Sequence, residues 1–559
     1  MKRFFLSLIA IVTICPVARS FPLDRTAQGM VTSAHPLASE AGLDLLKQGG
    51  NAIDAAVATT LAISVVEPFS AGIGGGGFLL FYQAQKNDMK ALDFRERAPL
   101  KASQNMYLDA QGKPRPNAST DGYLAVATPG TIAGLYQAHQ QYGKLPWKTV
   151  VAPAIKLAES GFPVSHRFTE ATESRKFQNA EARRIFTRNG KPYQPGEILK
   201  QTELAATLKA IAFDPNSFYR GKIATAIAQD MRSNNGLITL EDLKQYRPIW
   251  RTPVCGNFRQ SRVCSMPPPS SGGVHLLQIL NLIGDTDLKS LGWRNPDALH
   301  LLVESMRIAY ADRATYLGDP DFVKVPVSAL ISLEYARIRR QEINPKKAAT
   351  SVKPGDPAVI QKLLRESTET SHLTVVDRDR NAVSLTFTIN LGFGAGIVAK
   401  GTGIVLNNEM DDFAIAPNTP NAFGLVGGQA NAIVPRKTPL SSMTPTIITE
   451  NGKLRMAVGA PGGSTIITTV LQTILNVLVY DMEVKSAIAA PRIHHQWQPD
   501  RLNVEARGLD PLTIADLERR GHTIRQRGKW GNANAIVVLP NGSLEGAADP
   551  RGDGVATGY

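Results

Sequence analysis

The sequence predicts a mixed helix-and-strand globular fold, and three observations point to it. Hydrophobic residues make up 43% of the 559 positions and charged residues 20%. That balance supports a large core and excludes disordered, collagen-like and fibrous chains. Helical apolar periodicity fills 36–66 and much of the stretch from 125 to 350. After Thr370 the pattern changes to alternating strands, Gly- and Asn-rich loops and two further helices. The net charge is +14, with no run of five or more like charges. A spread excess implies solubility and weak affinity for anionic surfaces; no nucleic-acid partner is expected.

Residues 1–20 read as an address. Lys2 and Arg3 precede an uncharged, mostly apolar stretch at 4–17, and Ala18-Arg19-Ser20 carries the small residues a signal peptidase reads. Cleavage between Ser20 and Phe21 and a periplasmic or secreted product are expected. The apolar run is too short to span a bilayer. A lipoprotein using Cys15 is disfavoured by the bulky Ile14. The uncharged stretch 457–480 contains Pro461-Gly462-Gly463, Gln472 and Asn476, so it reads as a turn and a buried helix. No membrane anchor is expected once the signal is removed.

Residues 36–48 set Leu37, Ala41, Leu45 and Leu46 on one helical face, and 51–66 is apolar nearly all round, hence buried. A glycine-rich run at 72–77 leads into a strand at 78–82, and a second strand at 91–94 ends at Arg95. Helices follow at 146–160, 204–213, 221–234, 275–283 and 298–316, and later near 464–480 and 510–520. Between them, 254–264 reads as strand, turn, strand. An exported chain favours a disulfide between Cys255 and Cys264 across this hairpin, the alternative being two free thiols; no catalytic role is assigned to either. CxxC spacing is absent and the nine histidines are scattered, so neither a metal nor a cofactor is expected. Residues 266–273 form a Pro- and Gly-rich rigid connector, and 354–369 resembles an exposed linker.

The linker ends at Thr370. Residues 371–377 alternate as a strand, Arg378-Asp379-Arg380 is a turn, and 382–390 alternates again. A three-residue turn would set Thr374 opposite Ser384 and Thr370 opposite Thr388, with Arg380 in a left-handed position that suits glycine better. The two strands then share a hydroxyl-bearing face. On periodicity alone that face is a solvated side of a half-exposed sheet. Further on, Asn407-Asn408-Glu409-Met410-Asp411-Asp412 packs acids and amides into a short loop, and Ser441-Ser442 offers neighbouring hydroxyls. Gly462-Gly463 presents bare backbone at a helix start, suited to an oxyanion. Each feature alone has a bland reading. Together, behind a linker that ends at Thr, they suggest a self-cleaving enzyme with an N-terminal nucleophile.

From about Thr26 to Tyr559 the sequence resembles the γ-glutamyltranspeptidase family. The residues carrying the match are Gly74-Gly75-Gly76-Gly77-Phe78, Asp93-Phe94-Arg95-Glu96 and Pro267-Pro268-Pro269-Ser270-Ser271-Gly272-Gly273. They continue with Thr370-Ser371-His372, the acidic loop from Leu406 to Phe413, Pro439-Leu440-Ser441-Ser442-Met443 and Gly462-Gly463-Ser464. The resemblance implies an α/β fold of four layers, αββα, in which two antiparallel sheets stack between helices. It implies self-cleavage between Glu369 and Thr370, giving fragments 21–369 and 370–559 that stay together as one intertwined domain and a large–small heterodimer.

The resemblance also assigns roles. Thr370 attacks the γ-glutamyl amide, and its freed α-amine, with a pKa near 8, serves as the base. Thr388 positions the nucleophile, and Gly462 and Gly463 hold the oxyanion. Arg95 grips the donor α-carboxylate with Ser441 and Ser442, and Glu409, Asp412 and Asn390 receive its α-ammonium. Without the family, a surface ion pair with Glu96 is the better reading of Arg95. Residues 417–429 match a lid loop, with Phe423 where some relatives have Tyr. Expected partners are glutathione and other γ-glutamyl compounds, with water or an amino acid or dipeptide as acceptor. Two alternatives stand beside this: a β-lactam or glutaryl acylase on the same scaffold, and an exported protein that never matures and acts by binding.

Overall fold

Both faces of the strand Gly76–Gln83 are buried, and this dictates the layering. Leu79 and Phe81 join one apolar cluster, while Phe78, Leu80 and Tyr82 join another. Side chains alternate across a strand, so this strand lies between two cores. The structure, a computed structural model, describes residues 25–361, 373–416 and 419–559. The expected signal segment, the cleavage pair Glu369 and Thr370, the adjoining Ser371 and His372, and Pro417 lie outside the described residues.

Two seven-stranded sheets form the centre. The first runs, in spatial order, Arg25–Thr26, Leu544–Ala548, Asn534–Val538, Lys453–Gly459, Thr446–Glu450, Ser261–Ser265 and Val254–Phe258. The second runs Val555–Gly558, Met30–Ser33, Thr374–Val376, Ala382–Thr388, Gly76–Gln83, Asp88–Phe94 and Ile249–Arg251. Every pairing within both sheets is antiparallel. Each sheet therefore contains strands from before and from after position 369, hydrogen-bonded side by side.

Helices Pro36–Lys47, Ala52–Val66 and Trp147–Ser160 cover the outer face of the second sheet through one cluster. Helices Gly272–Ile283, Pro296–Tyr316 and Ile466–Leu478 share the other cluster with the first sheet. The αββα layering follows. All 15 residues of Ala52–Val66 are buried, as its unbroken apolar character predicts. Asn51 begins it with a capping box: its side chain accepts from Asp54 N–H at 3.1 Å, and Asp54 accepts from Asn51 N–H at 2.9 Å. The helix ends at Glu67, a residue that matters below.

Thr374 pairs with Ser384 as expected, and Leu385 N–H donates to Leu373 O at 2.5 Å. Arg380 has φ of 63°, the left-handed position its turn requires. Cys255 and Cys264 are directly opposed in the hairpin and joined by a disulfide. One expectation, the exposed linker, needs correction, and two alternative readings are excluded. The hydroxyl face of Ala382–Thr388 is not solvated: Ser384 is fully buried and donates to Val458 O of the first sheet at 3.3 Å. A second sheet covers it, which periodicity cannot reveal. The 354–369 segment is not wholly an exposed linker. Gly355 is buried, donating to Asp312 at 2.7 Å and accepting from Tyr316 Oη at 2.5 Å, and a short helix Pro357–Gln361 follows. Finally, Arg95 is no surface ion pair, because it is 1% exposed.

Candidate active site

Gly74 to Gly77 are glycines because the strand Ala382–Thr388 and its neighbours crowd them. A Cβ on Gly75 would stand 1.8 Å from Thr388 O. This close approach fixes Thr388 at the rim of a cavity of about 280 Å³. Arg95, Thr388, Asn390, Glu409 and Asp412 line it, with Ser441, Ser442, Gly462, Gly463 and Phe423. All the predicted catalytic and donor-binding residues within the described chain, and the lid Phe423, thus meet in one space.

Arg95 follows the strand Asp88–Phe94, whose end aims it inward. Its Nη1 lies 2.6 Å from Glu409 Oε1 and its Nη2 2.7 Å from Asp412 Oδ2. Glu96 Oε2 is 3.7 Å from Nη1. Tyr246 Oη donates to Arg95 O at 2.7 Å and pins the backbone. Burial would weaken the hold of Arg95 on its proton, but Glu409, Glu96 and Asp412 outweigh it and raise the pKa. Burial pushes Glu96 up to about 7 and Glu409 well above the usual carboxylate range, against the pull of Arg95. Asp412 is raised by burial too. Three buried acids thus face one guanidinium, a local excess of carboxyl groups that an incoming ammonium would relieve.

The loop carrying the acids is held by its amides. Asn407 Nδ2 donates to Gly74 O and Ala127 O, both at 2.8 Å, and its Oδ1 accepts from Ala127 N–H and Glu409 N–H, both at 3.0 Å. Asn408 Oδ1 accepts from Leu391 N–H at 3.0 Å. Asn390, at φ 74°, donates from Nδ2 to Asn408 O at 3.0 Å, and its N–H donates to Thr388 Oγ1 at 2.8 Å. Asp411 turns away and accepts from Ser119 Oγ at 2.7 Å and from Ala422 N–H at 2.9 Å. Asn421 donates to Asp412 at 3.1 Å. The loop that bears Phe423 is thereby tied to the acids.

Gly463 has φ of 56° and Gly462 of 139°, and they open the helical turn that leads into Ile466–Leu478. Their N–H groups have no acceptor among the described residues. A Cβ on Gly463 would stand 2.3 Å from Phe423, so this aromatic ring packs directly against Gly463. Opposite, the Pro-rich connector braces the serines. Ser441 N–H donates to Pro269 O at 2.8 Å, and Ser441 O accepts from Ser271 N–H at 2.9 Å and Ser271 Oγ at 2.8 Å.

Sequence reasoning missed Arg313. It lies in the helix Pro296–Tyr316, lines the cavity, and donates from Nε to Ser271 Oγ at 2.9 Å and from Nη2 to Ser442 Oγ at 3.1 Å. It has no ion-pair partner among the described residues, and burial lowers its pKa. No local signal distinguishes it from the exposed arginines of other helices. No group of three or more His, Cys, Asp or Glu among the described residues could hold a metal ion. No helix among them is long and apolar enough to cross a membrane.

A family model described as gamma-glutamyltranspeptidase matches residues 38–559. The glutathione hydrolase proenzyme of Escherichia coli (strain K12) is 47% identical over 543 residues, covering 96% of this chain and 92% of its own. Among solved structures, a cephalosporin acylase from Bacillus halodurans superposes with a TM-score of 0.85 at 30% identity, covering 98% of this chain and 99% of its own. A Helicobacter pylori gamma-glutamyltranspeptidase chain gives 0.59 at 45% identity, covering 60% of this chain and 97% of its own. The four-layer fold is therefore that of the N-terminal-nucleophile hydrolases. The glycines, acids and serines that line the cavity occur in the order that the motifs predicted, and with a family match over nearly the whole described length the chain belongs to the γ-glutamyltranspeptidase family.

Proposed function

We propose that this chain is an exported, self-processing γ-glutamyltransferase and glutathione hydrolase. The observation that carries the reading is the pairing of Arg95 with Glu409 and Asp412 beside Ser441 and Ser442 in one buried cavity. A γ-glutamyl donor ends in a zwitterion, so its recognition needs both charge signs within a few ångströms. Arg95 and the two serines suit the α-carboxylate; Glu409, Asp412 and the Asn390 side chain suit the α-ammonium.

The reaction starts with maturation. The Thr370 hydroxyl attacks the carbonyl of Glu369, the Glu369–Thr370 amide becomes an ester, and water opens it to leave a free Thr370 amine. The two fragments, 21–369 and 370–559, stay together because both sheets contain strands of both, paired side by side. Thr370 then attacks the γ-carbonyl of the donor, its own amine taking the hydroxyl proton. Gly462 and Gly463 N–H groups stabilise the oxyanion; such a donor contributes about 3 kcal/mol. Thr388, whose Oγ1 accepts from Asn390 N–H, positions the nucleophile. The departing amine takes the proton, and water or an acceptor amine attacks the acyl ester to free Thr370.

A second reading, acylase, is favoured by the likeness to the Bacillus halodurans cephalosporin acylase. The acid pair around Arg95 argues against it, since a glutaryl group brings no ammonium to relieve those acids. Purified processed protein should hydrolyse γ-glutamyl p-nitroanilide at least about 100-fold faster than glutaryl p-nitroanilide, as expected when a buried charge pair is left unmade. Equal rates would shift the assignment to acylase. No observation favours the unprocessed binding protein.

A further inference from the structure

The donor groups account for part of the cavity lining. Another charged pair belongs to that lining, and the donor does not use it. Glu67 closes the helix Ala52–Val66 and is 2% exposed. Its Oε1 lies 3.6 Å from Arg167 Nη1, and its Oε2 accepts from Ser70 Oγ at 2.9 Å. Glu67 Oε1 and Arg167 Nη1 are both buried, and neither makes a hydrogen bond. The Arg167 guanidinium lies over the Phe69 ring at 5.8 Å, and its side chain keeps 35% exposure. The pair is therefore held firmly on one side and open on the other.

The turn after Thr388 contacts the neighbours of both charged groups. Asn390 Nδ2 reaches the acidic loop through Asn408 O, whereas Phe393 N–H donates to Phe69 O at 3.0 Å. A reacting carbonyl beside Thr388 thus shares one cavity with the donor's charged groups and with the Glu67–Arg167 pair. The groups of the reaction still without a partner there are the leaving amine of the donor and, later, the acceptor amine. In glutathione the leaving group is a dipeptide with a free carboxylate, and an amino acid or dipeptide acceptor carries the same group.

We propose that Arg167, seated by Glu67 and Phe69, docks the free carboxylate of the acceptor amino acid or dipeptide and of the departing dipeptide. The assignment rests on the γ-glutamyl reading above. Burial pushes Glu67 up to about 7, so near neutral pH it only partly offsets Arg167 and leaves room for a second anion. An Arg guanidinium can bind such a carboxylate through two hydrogen bonds.

The test uses processed wild type, R167Q and R167K with γ-glutamyl p-nitroanilide as donor. Glycylglycine and glycylglycinamide serve as acceptors, differing only in the carboxylate. Release of p-nitroaniline reads acylation, and the γ-glutamyl products read transfer. Wild type should prefer glycylglycine, R167Q should lower the ratio of kcat/KM for the two acceptors at least about 10-fold, and R167K should restore part of it. A ratio unchanged in R167Q, or a loss common to both acceptors, would overturn the proposal and leave the γ-glutamyl reading intact. No p-nitroaniline release by wild type would remove that reading and the acceptor assignment with it.

Discussion

Ser442 shows how one buried cation can set the use of a neighbour. Arg313 Nη2 donates to Ser442 Oγ, so one of that oxygen's two lone pairs is engaged and its own proton remains free to donate. Arg313→Met removes that constraint. Its expected effect is a rise of about 10-fold in KM for the γ-glutamyl donor with kcat nearly kept, the signature of lost ground-state binding. Steady-state kinetics on the processed enzyme would check it; a loss in kcat alone would place Arg313 elsewhere in the reaction. Arg95, Glu409 and Asp412 were legible in the sequence through their motifs. Arg313 and the Glu67–Arg167 pair were not, because each is an ordinary charged residue on or after a helix until tertiary packing buries it. Asn407 and Asn408 were visible as an unusual pair, but their role as braces of the acidic loop depends on Gly74 and Ala127, remote in sequence.

Among the elements, the hairpin of Val254–Phe258 and Ser261–Ser265 was readable from its turn and its cysteines, and its disulfide lies at the end of the first sheet. The bridge closes a short loop, so the chain-entropy view puts its contribution at the low end, about 2–3 kcal/mol. Replacing both cysteines with Ser should lower the thermal midpoint of the folded enzyme and leave its γ-glutamyl hydrolase rate within twofold. A lost rate at temperatures where the protein stays folded would contradict this. Helix positions followed from periodicity to within a few residues: the helix read from Asn51 has that residue as its cap, and the one read from Ala298 begins two residues earlier, at Pro296. The strand Ala382–Thr388 was legible in register and alternation, yet its environment was not. Alternation tells that two faces differ, and only packing against the first sheet decides that Ser384 and Thr386 are enclosed.

For the whole molecule, four layers bury charge as well as apolar surface, and that has a pH signature. Glu67 is raised from 4.5 to about 7 by burial, Arg167 and Ser70 opposing. The folded chain then holds a proton that the unfolded chain releases between those values. Its contribution to stability is fully present below pH 4.5 and is lost as pH rises toward about 7, a change of about 3 kcal/mol. Denaturant unfolding across this window should show a smaller fall in stability for Glu67→Gln than for wild type; identical slopes would contradict the assignment. The layered fold itself was legible only through the family motifs, since composition and periodicity gave mixed helix and strand and no more. What those motifs could not give is that both sheets mix strands from either side of position 369.

That shared sheet membership is why cutting the chain there need not release its halves, and the proposed chemistry depends on the cut. Intact mass and N-terminal sequencing of purified wild type and Thr370→Ala address it most directly. Wild type should give two fragments held in one particle, one of them beginning Thr370-Ser371-His372, while Thr370→Ala stays a single chain. An uncut wild-type chain after long incubation, or the same cleavage in Thr370→Ala, would contradict it.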